Sequence, residues 1–335
     1  MIGDADRTRA GDLLARLEAA GAARFAPPIL LPAGTLLDLY GEDIRARAFV
    51  THDPLRGEAM LRPDFTVPLV QAHMEAGAEP ARYCYAGEVF RRQEEDETRP
   101  REYLQVGYEA FDADRAAAEA EVLALFLDVL APWEPRPATG DLGLIRAAVA
   151  ALDTTGARRA ALLRHLWRPA RFRRLLDRFA GRAPGPATDR APNDAPVIGQ
   201  RTPEEVEARL DALRADAAEP PIDGGQADAL LSLLSMRGTM AEALRALPDA
   251  ESLHARADAL AARGLDPATL PFAPAEGRSA MEYYDGFTFT ITANDRTVAT
   301  GGRYDALTAA LGGGRTIPAV GGVIRPGLLE GELLA

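Results

Sequence analysis

The chain has 335 residues, of which 47% are hydrophobic and 26% charged, so it can bury the core of one large domain or two. Its net charge of −12 argues against an extended nucleic-acid surface, because phosphate binding needs concentrated positive charge. One cysteine and four histidines without paired spacing exclude an internal disulfide and predict neither a structural metal nor a cofactor. An acidic N-terminus and the lack of 18 consecutive apolar residues predict a cytoplasmic protein without signal peptide or membrane span.

The first predicted elements are a helix and a hairpin. Three leucines share one face between about Asp6 and Ala20, which predicts an amphipathic helix that ends at Gly21. Two strands are predicted over 83–90 and 102–111, joined by a charged loop that contains several arginines. A second helix, over 113–130, then leaves the sheet.

The middle of the chain predicts helix after helix, with an interruption rich in Pro, Gly and Asp at 183–196. Strand patterns return at 287–292 and at 297–299, and a short turn is predicted to join these two strands. We therefore predict an α+β sheet domain formed by 1–140 and 271–335 and split by a mostly helical insertion at 141–270.

The strand at 102–111 has one apolar face and one polar face. Gln105 and Glu109 share the polar face with Gly107 between them, roughly 13 Å apart at about 3.3 Å per residue. This spacing suits a small polar ligand, although spacing alone favours a half-solvated strand whose polar face meets water.

Two further clusters carry polar groups. Asp64 and Thr66 follow an Arg-Pro pair, where a carboxylate could receive an ammonium group, although the same residues also suit an ordinary turn. Tyr283 and Tyr284 are predicted to lie on a strand and to face opposite ways, so that one phenol reaches the pocket and the other packs in the core. Plain core packing of both rings is the alternative.

Four segments in chain order resemble motifs of histidyl-tRNA synthetase and its paralogues. Residues 61–66 resemble the family's Leu-Arg-Pro-Glu-Gly-Thr loop, 90–109 its second class motif, 282–284 its Asp-Tyr-Tyr and 301–305 its glycine-rich strand and turn. The resemblance implies a class II aminoacyl-tRNA synthetase-like antiparallel sheet flanked by helices. It also implies a histidine-binding set, namely Asp64, Thr66, Arg91, Gln105, Glu109, Tyr283 and Tyr284.

The sequence departs from this family where phosphate is handled. Ser279 replaces an arginine that precedes the tyrosine pair, and Arg278 lies one residue away from that position. Gly327 and Leu328 replace the Glu-Arg pair of the third class motif, and Arg325 replaces a small residue, where it could crowd a nucleotide. Losing one charge-stabilising donor commonly lowers an enzyme's rate about 10²- to 10³-fold, so the absence of two arginines implies an activation rate about 10⁴- to 10⁶-fold lower.

Three other arginines, Arg99, Arg101 and Arg303, stay candidates for a vestigial nucleotide site, and Gln93 stands where the second motif has glutamate. The chain continues about ten residues beyond Arg325, so we expect no anticodon-binding domain and no tRNA partner. Class II folds usually dimerise through their first motif, which predicts a self-dimer through 27–39; interior core is the alternative for this apolar segment.

Two functions stay open at this point. One branch of the resembled family is non-catalytic and regulates ATP phosphoribosyltransferase in the first step of histidine biosynthesis. Membership would imply a short catalytic subunit as partner in a hetero-octamer, loss of any aminoacylation activity of its own, and feedback regulation by histidine as effector. The alternative is a truncated synthetase-like enzyme that activates histidine or another amino acid for a non-tRNA acceptor. A scaffold with a vestigial pocket is a third possibility.

Overall fold

The computed structural model describes residues 2–40, 47–92, 100–185, 202–278 and 283–330. The chain divides into two compact units. The sheet unit comprises Met1–Leu144 and Arg237–Ala335, and the helical unit comprises Ile145–Met236. The helical unit lies within the segment 141–270 that the sequence predicts as an insertion, whereas 237–270 belongs to the sheet unit.

Within the described residues the sheet unit contains a nine-stranded sheet. Its strands in chain order are β1 (Ala23–Arg24), β5 (Ala81–Phe90), β6 (Glu102–Phe111), β7 (Arg136–Asp141), β8 (Gly238–Thr239), β9 (Pro271–Phe272), β10 (Phe287–Ala293), β11 (Arg296–Arg303) and β12 (Ala319–Ile324). They lie side by side in the order β1-β5-β6-β12-β11-β10-β7-β9-β8. The six strands from β5 to β7 are antiparallel, and only β1 and β9 add parallel pairings among these strands.

A smaller sheet of the same unit contains β2 (Leu30–Pro32), β3 (Val50–Asp53) and β4 (Gly57–Leu61) in the order β2-β4-β3. The apolar segment 27–39 contributes to both surface and interior here. Leu31 and Leu36 are buried, whereas Ile29 and Leu30 are more than 40% exposed. The self-dimer through this segment therefore stays a prediction.

The helices of the sheet unit are α1 (Asp4–Ala19), α2 (Ala33–Tyr40), α3 (Thr66–Ala76), α4 (Arg115–Val129), α10 (Met240–Ala246), α11 (Glu251–Ala262) and α12 (Asp305–Leu311), and α5 (Leu142–Ala150) runs from this unit into the helical one. Helices α1 and α4 pack against β6. The predicted leucine face of α1 is confirmed, since Leu13 and Leu17 are fully buried. The Tyr108 hydroxyl donates to Glu121 of α4 at 2.6 Å, so α4 covers the apolar face of β6 and leaves the Gln105 face for other contacts.

The helical unit contains α6 (Gly156–Arg164), α7 (Pro169–Phe179), α8 (Pro203–Ala218) and α9 (Gly224–Ser235). Helix α7 buries Phe172, Leu176 and Phe179 along one face, as helical spacing requires. Arg158 is 5% exposed and donates to Asp216 at 2.7 Å, which ties α6 to α8. Among the described residues no helix is both long and apolar enough to cross a membrane.

The predicted hairpins are confirmed in position. Strands β5 and β6 pair over ten residues, with Tyr85 opposite Gly107 and Gly87 opposite Gln105. Strands β10 and β11 are joined by Asn294 and Asp295, whose φ angles of 49° and 58° suit a tight hairpin turn. Strand β12 then inserts between β6 and β11, so that residues from both ends of the chain lie next to each other.

Candidate functional site

A pocket lies on the face of the sheet that carries Gln105 and Glu109. It comprises about 360 Å³ of space between atoms, a figure that includes open solvent. The lining residues are Asp64, Thr66, Arg91, Gln105, Glu109, Tyr283, Tyr284, Thr300, Tyr304, Gly321, Gly322, Val323 and Arg325. All seven residues of the predicted histidine-binding set therefore line one pocket.

Glu109 is the centre of a buried hydroxyl cluster. Thr66 and Tyr85 both donate to its Oε1 at 2.9 Å, and Tyr304 donates to its Oε2 at 2.6 Å. The side chain is 1% exposed, so the polar face of β6 does not meet bulk water as a half-solvated strand would. Three hydroxyls, from α3, β5 and the residue between β11 and α12, thus hold the carboxylate in one orientation.

The two acids of the pocket have raised pKa values. Burial raises the pKa of Glu109 to about 7, although the three hydroxyls favour its ionised form. Burial also raises the pKa of Asp64, and the positive charge of Arg91 opposes that shift. Each carboxylate would therefore gain from a donor or cation that a ligand brings to it.

Gln105 leaves an acceptor unused. Its side chain is 1% exposed, and its Oε1 accepts no hydrogen bond from any residue that the structure describes. A buried polar atom without a partner costs about 1–3 kcal/mol, and a ligand N–H would remove that cost. Gln105 is therefore a natural contact for a donor in the pocket.

Two glycines keep the pocket floor open. A Cβ on Gly107 would overlap the ring of Tyr85, and a Cβ on Gly321 would overlap the carboxylate of Glu109. Gly321 pairs directly with Glu109 across β12 and β6. The absence of side chains at these two positions is what lets Tyr85 and Glu109 occupy the floor.

The structure corrects the prediction for the two adjacent tyrosines. Tyr283 and Tyr284 precede β10 rather than lie on a strand, and both line the pocket. Their rings meet edge to face at 5.2 Å, and Tyr283 contacts the Tyr304 ring in the same way at 6.0 Å. Asp285 holds this segment as a loop, since its carboxylate accepts backbone N–H groups at the start of α12.

The candidate nucleotide-site arginines are dispersed. Arg303 does not line the pocket; its guanidinium donates to Glu119 at 2.6 Å and to Asp305 at 3.0 Å in the interior. Arg101 is exposed directly before β6. Arg99, together with Gln93, Ser279 and Glu282, lies outside the described residues.

The other arginines near the motifs differ in position. Arg278 is 8% exposed, burial lowers its pKa to about 10, and it is not among the pocket-lining residues. Arg91 lines the pocket and donates from Nε to the Pro63 carbonyl at 2.9 Å. Arg325 also lines the pocket, and Pro326 after it starts a short 3₁₀ helix, Pro326–Leu328, as a proline at a first turn does.

Sequence reasoning missed several contributors. Tyr85 and Tyr304 hold Glu109, and Thr300 and Val323 line the pocket. The pairing of a predicted strand tyrosine with a glycine on the neighbouring strand could have identified Tyr85. The others come from strands far away in sequence, for which the sequence carried no register information.

The antiparallel sheet with this enclosed polar pocket defines a class II aminoacyl-tRNA synthetase-like fold, as predicted. The family model described as histidyl-tRNA synthetase matches residues 5–190 and 202–326. The chain belongs to the histidyl-tRNA synthetase family, in the branch of ATP phosphoribosyltransferase regulatory subunits, which the following relatives show.

A protein of Sinorhizobium medicae (strain WSM419) named ATP phosphoribosyltransferase regulatory subunit is 34% identical, with 93% of each chain covered. One of the same name from Allorhizobium ampelinum is 32% identical, with 93% of this chain and 94% of the relative covered. These names describe regulatory subunits, not catalytic ones.

Solved structures support the fold. An ATP phosphoribosyltransferase regulatory subunit/histidyl-tRNA synthetase from Bacillus halodurans C has a TM-score of 0.69 at 21% identity, with 97% of this chain and 77% of that chain covered. A histidine–tRNA ligase subunit from Alicyclobacillus acidocaldarius has a TM-score of 0.63 at 24% identity, with 96% and 91% covered.

Proposed function

We propose that this chain is a non-catalytic regulatory subunit of ATP phosphoribosyltransferase that binds free histidine in the pocket. It would act in the cytoplasm, in the first step of histidine biosynthesis, and a short catalytic subunit would need it for activity. We further propose a self-dimer within a hetero-octamer of the two subunits. The curated relatives of the same name support the complex with a catalytic partner.

The proposal that the ligand is histidine rests on two buried carboxylates and one unused acceptor that line the same pocket. Asp64 and Thr66 suit the ammonium group, as the family resemblance implies. Glu109, held by three hydroxyls, can accept an N–H of the imidazole ring. Gln105 Oε1 offers a further acceptor. A small ligand with several N–H donors matches this set better than an apolar one.

The non-catalytic part of the proposal depends on what surrounds the pocket. Adenylation needs cationic groups placed against phosphate oxygens. Gly327 and Leu328 carry no charge at the third-motif positions, and Arg303 is bound to carboxylates in the interior. Histidine would instead regulate by binding one arrangement of the complex more tightly than another, for which a coupling of about 1 to 3 kcal/mol suffices.

The proposal is tested by calorimetric titration of the purified chain with histidine, next to histidine-dependent ATP–pyrophosphate exchange. We expect saturable binding of one histidine per chain without exchange. The variant Gly321→Ala, which pushes a methyl group against Glu109, should not bind, whereas Gly11→Ala on α1, where a Cβ meets nothing within 4 Å, should bind normally. Exchange activity would favour the truncated-enzyme alternative, and absence of binding would favour a scaffold.

Histidine affinity should also fall in acid. The pKa of Glu109 is about 7 in the empty site, and an N–H donated by the ligand favours the ionised form. Below pH 7 binding must therefore release the Glu109 proton, and affinity should decrease by up to about tenfold per pH unit. Titrations in two buffers of different ionisation enthalpy, from pH 5.5 to 8, measure the released protons.

The ligand's own imidazole titrates near pH 6.5 and must be separated from this effect. The variant Glu109→Gln, titrated at high histidine concentration, supplies the control because Glu109 no longer titrates there, whereas the ligand and Asp64 are unchanged. Equal proton release in the wild type and the variant would contradict the role of Glu109.

A further inference from the structure

The residues that follow β11 connect two different environments. Arg303 is the last residue of β11, and Tyr304 and Asp305 lead from it into α12. Adjacent residues of an extended chain point to opposite faces of a sheet. Accordingly, the Arg303 guanidinium reaches Glu119 of α4, whereas Tyr304 lines the pocket. Three consecutive residues therefore join an ionic cluster behind the sheet to the pocket in front of it.

Asp305 ties this segment to β12. Its Oδ1 accepts from Arg303 Nη1 at 3.0 Å and from the Ala319 N–H at 2.9 Å. The Tyr304 N–H donates to the carbonyl of the same Ala319 at 3.0 Å. Arg303 is held from the other side, since its Nε donates to Glu119 at 2.6 Å. The backbone is thus fixed on both sides of Tyr304, and this determines where the tyrosine ring lies.

The position of the Tyr304 hydroxyl matters to Glu109. Its hydrogen bond to Glu109 is 2.6 Å long, whereas the bonds from Thr66 and Tyr85 are 2.9 Å long. Burial raises the pKa of Glu109 to about 7, and of the groups that oppose this shift the Tyr304 hydroxyl acts most strongly. The negative charge of Asp64 adds to the increase. Displacement of Tyr304 would therefore raise the pKa of Glu109 further.

We propose that Asp305 is a positioning residue, which holds the Tyr304 hydroxyl on Glu109 from outside the pocket. The inference deepens the proposed function, because it rests on Glu109 as an acceptor for histidine. Asp305 is not among the residues that line the pocket. It acts through the ion pairs that link it to Arg303 and link Arg303 to Glu119. Arg303, a nucleotide-site candidate in the sequence, then serves the pocket by fixing the backbone.

The test measures the pKa of Glu109 in the full chain without ligand, by carbon-13 NMR of the glutamate carboxyl groups. The variant Glu109→Gln identifies the resonance, because it lacks it. Asp305→Ala removes the acceptor of both Oδ1 bonds, and we expect the pKa of Glu109 to rise by about 1, a tenfold increase in proton affinity. Loss of a negative charge by itself would lower that pKa.

Two variants separate geometry from charge. Asp305→Asn removes the same charge but keeps an oxygen acceptor, so the pKa of Glu109 should return to within about 0.3 of the wild-type value. Arg115→Gln is the matched control. Arg115 is exposed and contacts the other oxygen of Asp305 at 3.2 Å, so its replacement leaves the Oδ1 bonds in place and should leave the pKa of Glu109 unchanged.

A double-mutant cycle tests whether Asp305 acts through Tyr304. Tyr304→Phe removes the hydroxyl and should raise the pKa of Glu109 by about 1 or more. In that background Asp305→Ala should cause no further increase, because the hydrogen bond on which it acts is already lost. If Asp305→Ala does not fold, Arg303→Lys replaces it, since lysine keeps a charge beside Glu119 but lacks the fork that also reaches Asp305.

Two results would overturn the inference. In the first, Asp305→Ala lowers the unfolding temperature but leaves the pKa of Glu109 unchanged, as a purely structural residue would. In the second, Asp305→Ala raises that pKa equally in the Tyr304→Phe background, so that Tyr304 is not the intermediary. Neither result bears on histidine binding by the wild type, which calorimetry measures separately. Expected pKa changes in a chain that binds no histidine would support the positioning role and overturn the proposed function.

Discussion

The substitution Glu109→Gln is expected to lower histidine affinity by about 30-fold or more at pH 8. Glutamine keeps the size and one oxygen acceptor for the three hydroxyls but loses the charge. Removing the charged partner of a buried hydrogen bond costs about 2 to 5 kcal/mol of binding free energy. Calorimetric titration with histidine measures the loss.

The same substitution should leave stability nearly unchanged. The raised pKa of Glu109 means that its ionised form destabilises the empty folded protein at pH 8, so a neutral side chain adds no cost there. Glu75→Gln, on the exposed end of α3, is the matched control and should bind histidine like the wild type. Wild-type affinity in a folded Glu109→Gln variant would remove Glu109 from the site.

The substitution Arg256→Met is expected to destabilise the sheet unit by about 3 to 5 kcal/mol. Arg256 is 3% exposed and donates to Glu119 at 2.5 Å and to Asp141 at 2.8 Å, so it joins α11, α4 and β7. Arg303 binds the other oxygen of Glu119 at 2.6 Å. Removing Arg256 removes the buried ion pair of Asp141 and one of the two ion pairs of Glu119, which is far more costly than losing a surface ion pair.

Denaturant unfolding measures this effect. The two tryptophans of the chain lie in different units, Trp133 in the sheet unit and Trp167 in the helical unit. In a Trp167→Phe background, fluorescence therefore reports on the sheet unit. Arg263→Met, directly after the same helix, where the arginine is 41% exposed and 3.8 Å from Glu121, should cost less than about 1 kcal/mol. Similar losses for both variants would contradict a structural role for the buried cluster.

The sequence predicted those parts of the fold and site that depend on local pattern. The alternation of β6 and the spacing of the family motifs placed Gln105, Glu109 and Asp64 in one pocket. Side chains an even number of residues apart on a strand point to the same face, so Gln105 and Glu109 lie together. The hairpin turn at Asn294 and Asp295 was likewise predictable, since few residues adopt positive φ.

The remaining features depend on contacts that local pattern does not encode. The loop conformation of Tyr283 and Tyr284 is fixed by Asp285, whose carboxylate binds N–H groups 20 residues later in the chain. Strands β8 and β9 are only two residues long, which is too short to produce a periodic pattern in the sequence. The sequence therefore predicted that 237–270 belongs to the helical insertion. The resemblance placed Arg325 near a nucleotide, whereas its position in the lining of the Glu109 pocket depends on the register of β12.

The insertion of β12 between β6 and β11 also fixes when the pocket can first exist. Its floor joins Glu109 to Gly321, about 200 residues later in the chain, and contacts of such long sequence separation form late and slowly. As the ribosome extends the chain from the N-terminus, Asp64 and Glu109 emerge long before their opposite wall. A nascent chain lacks the pocket floor until β12 has been synthesised, and any product that stops before residue 319 would lack the proposed histidine site.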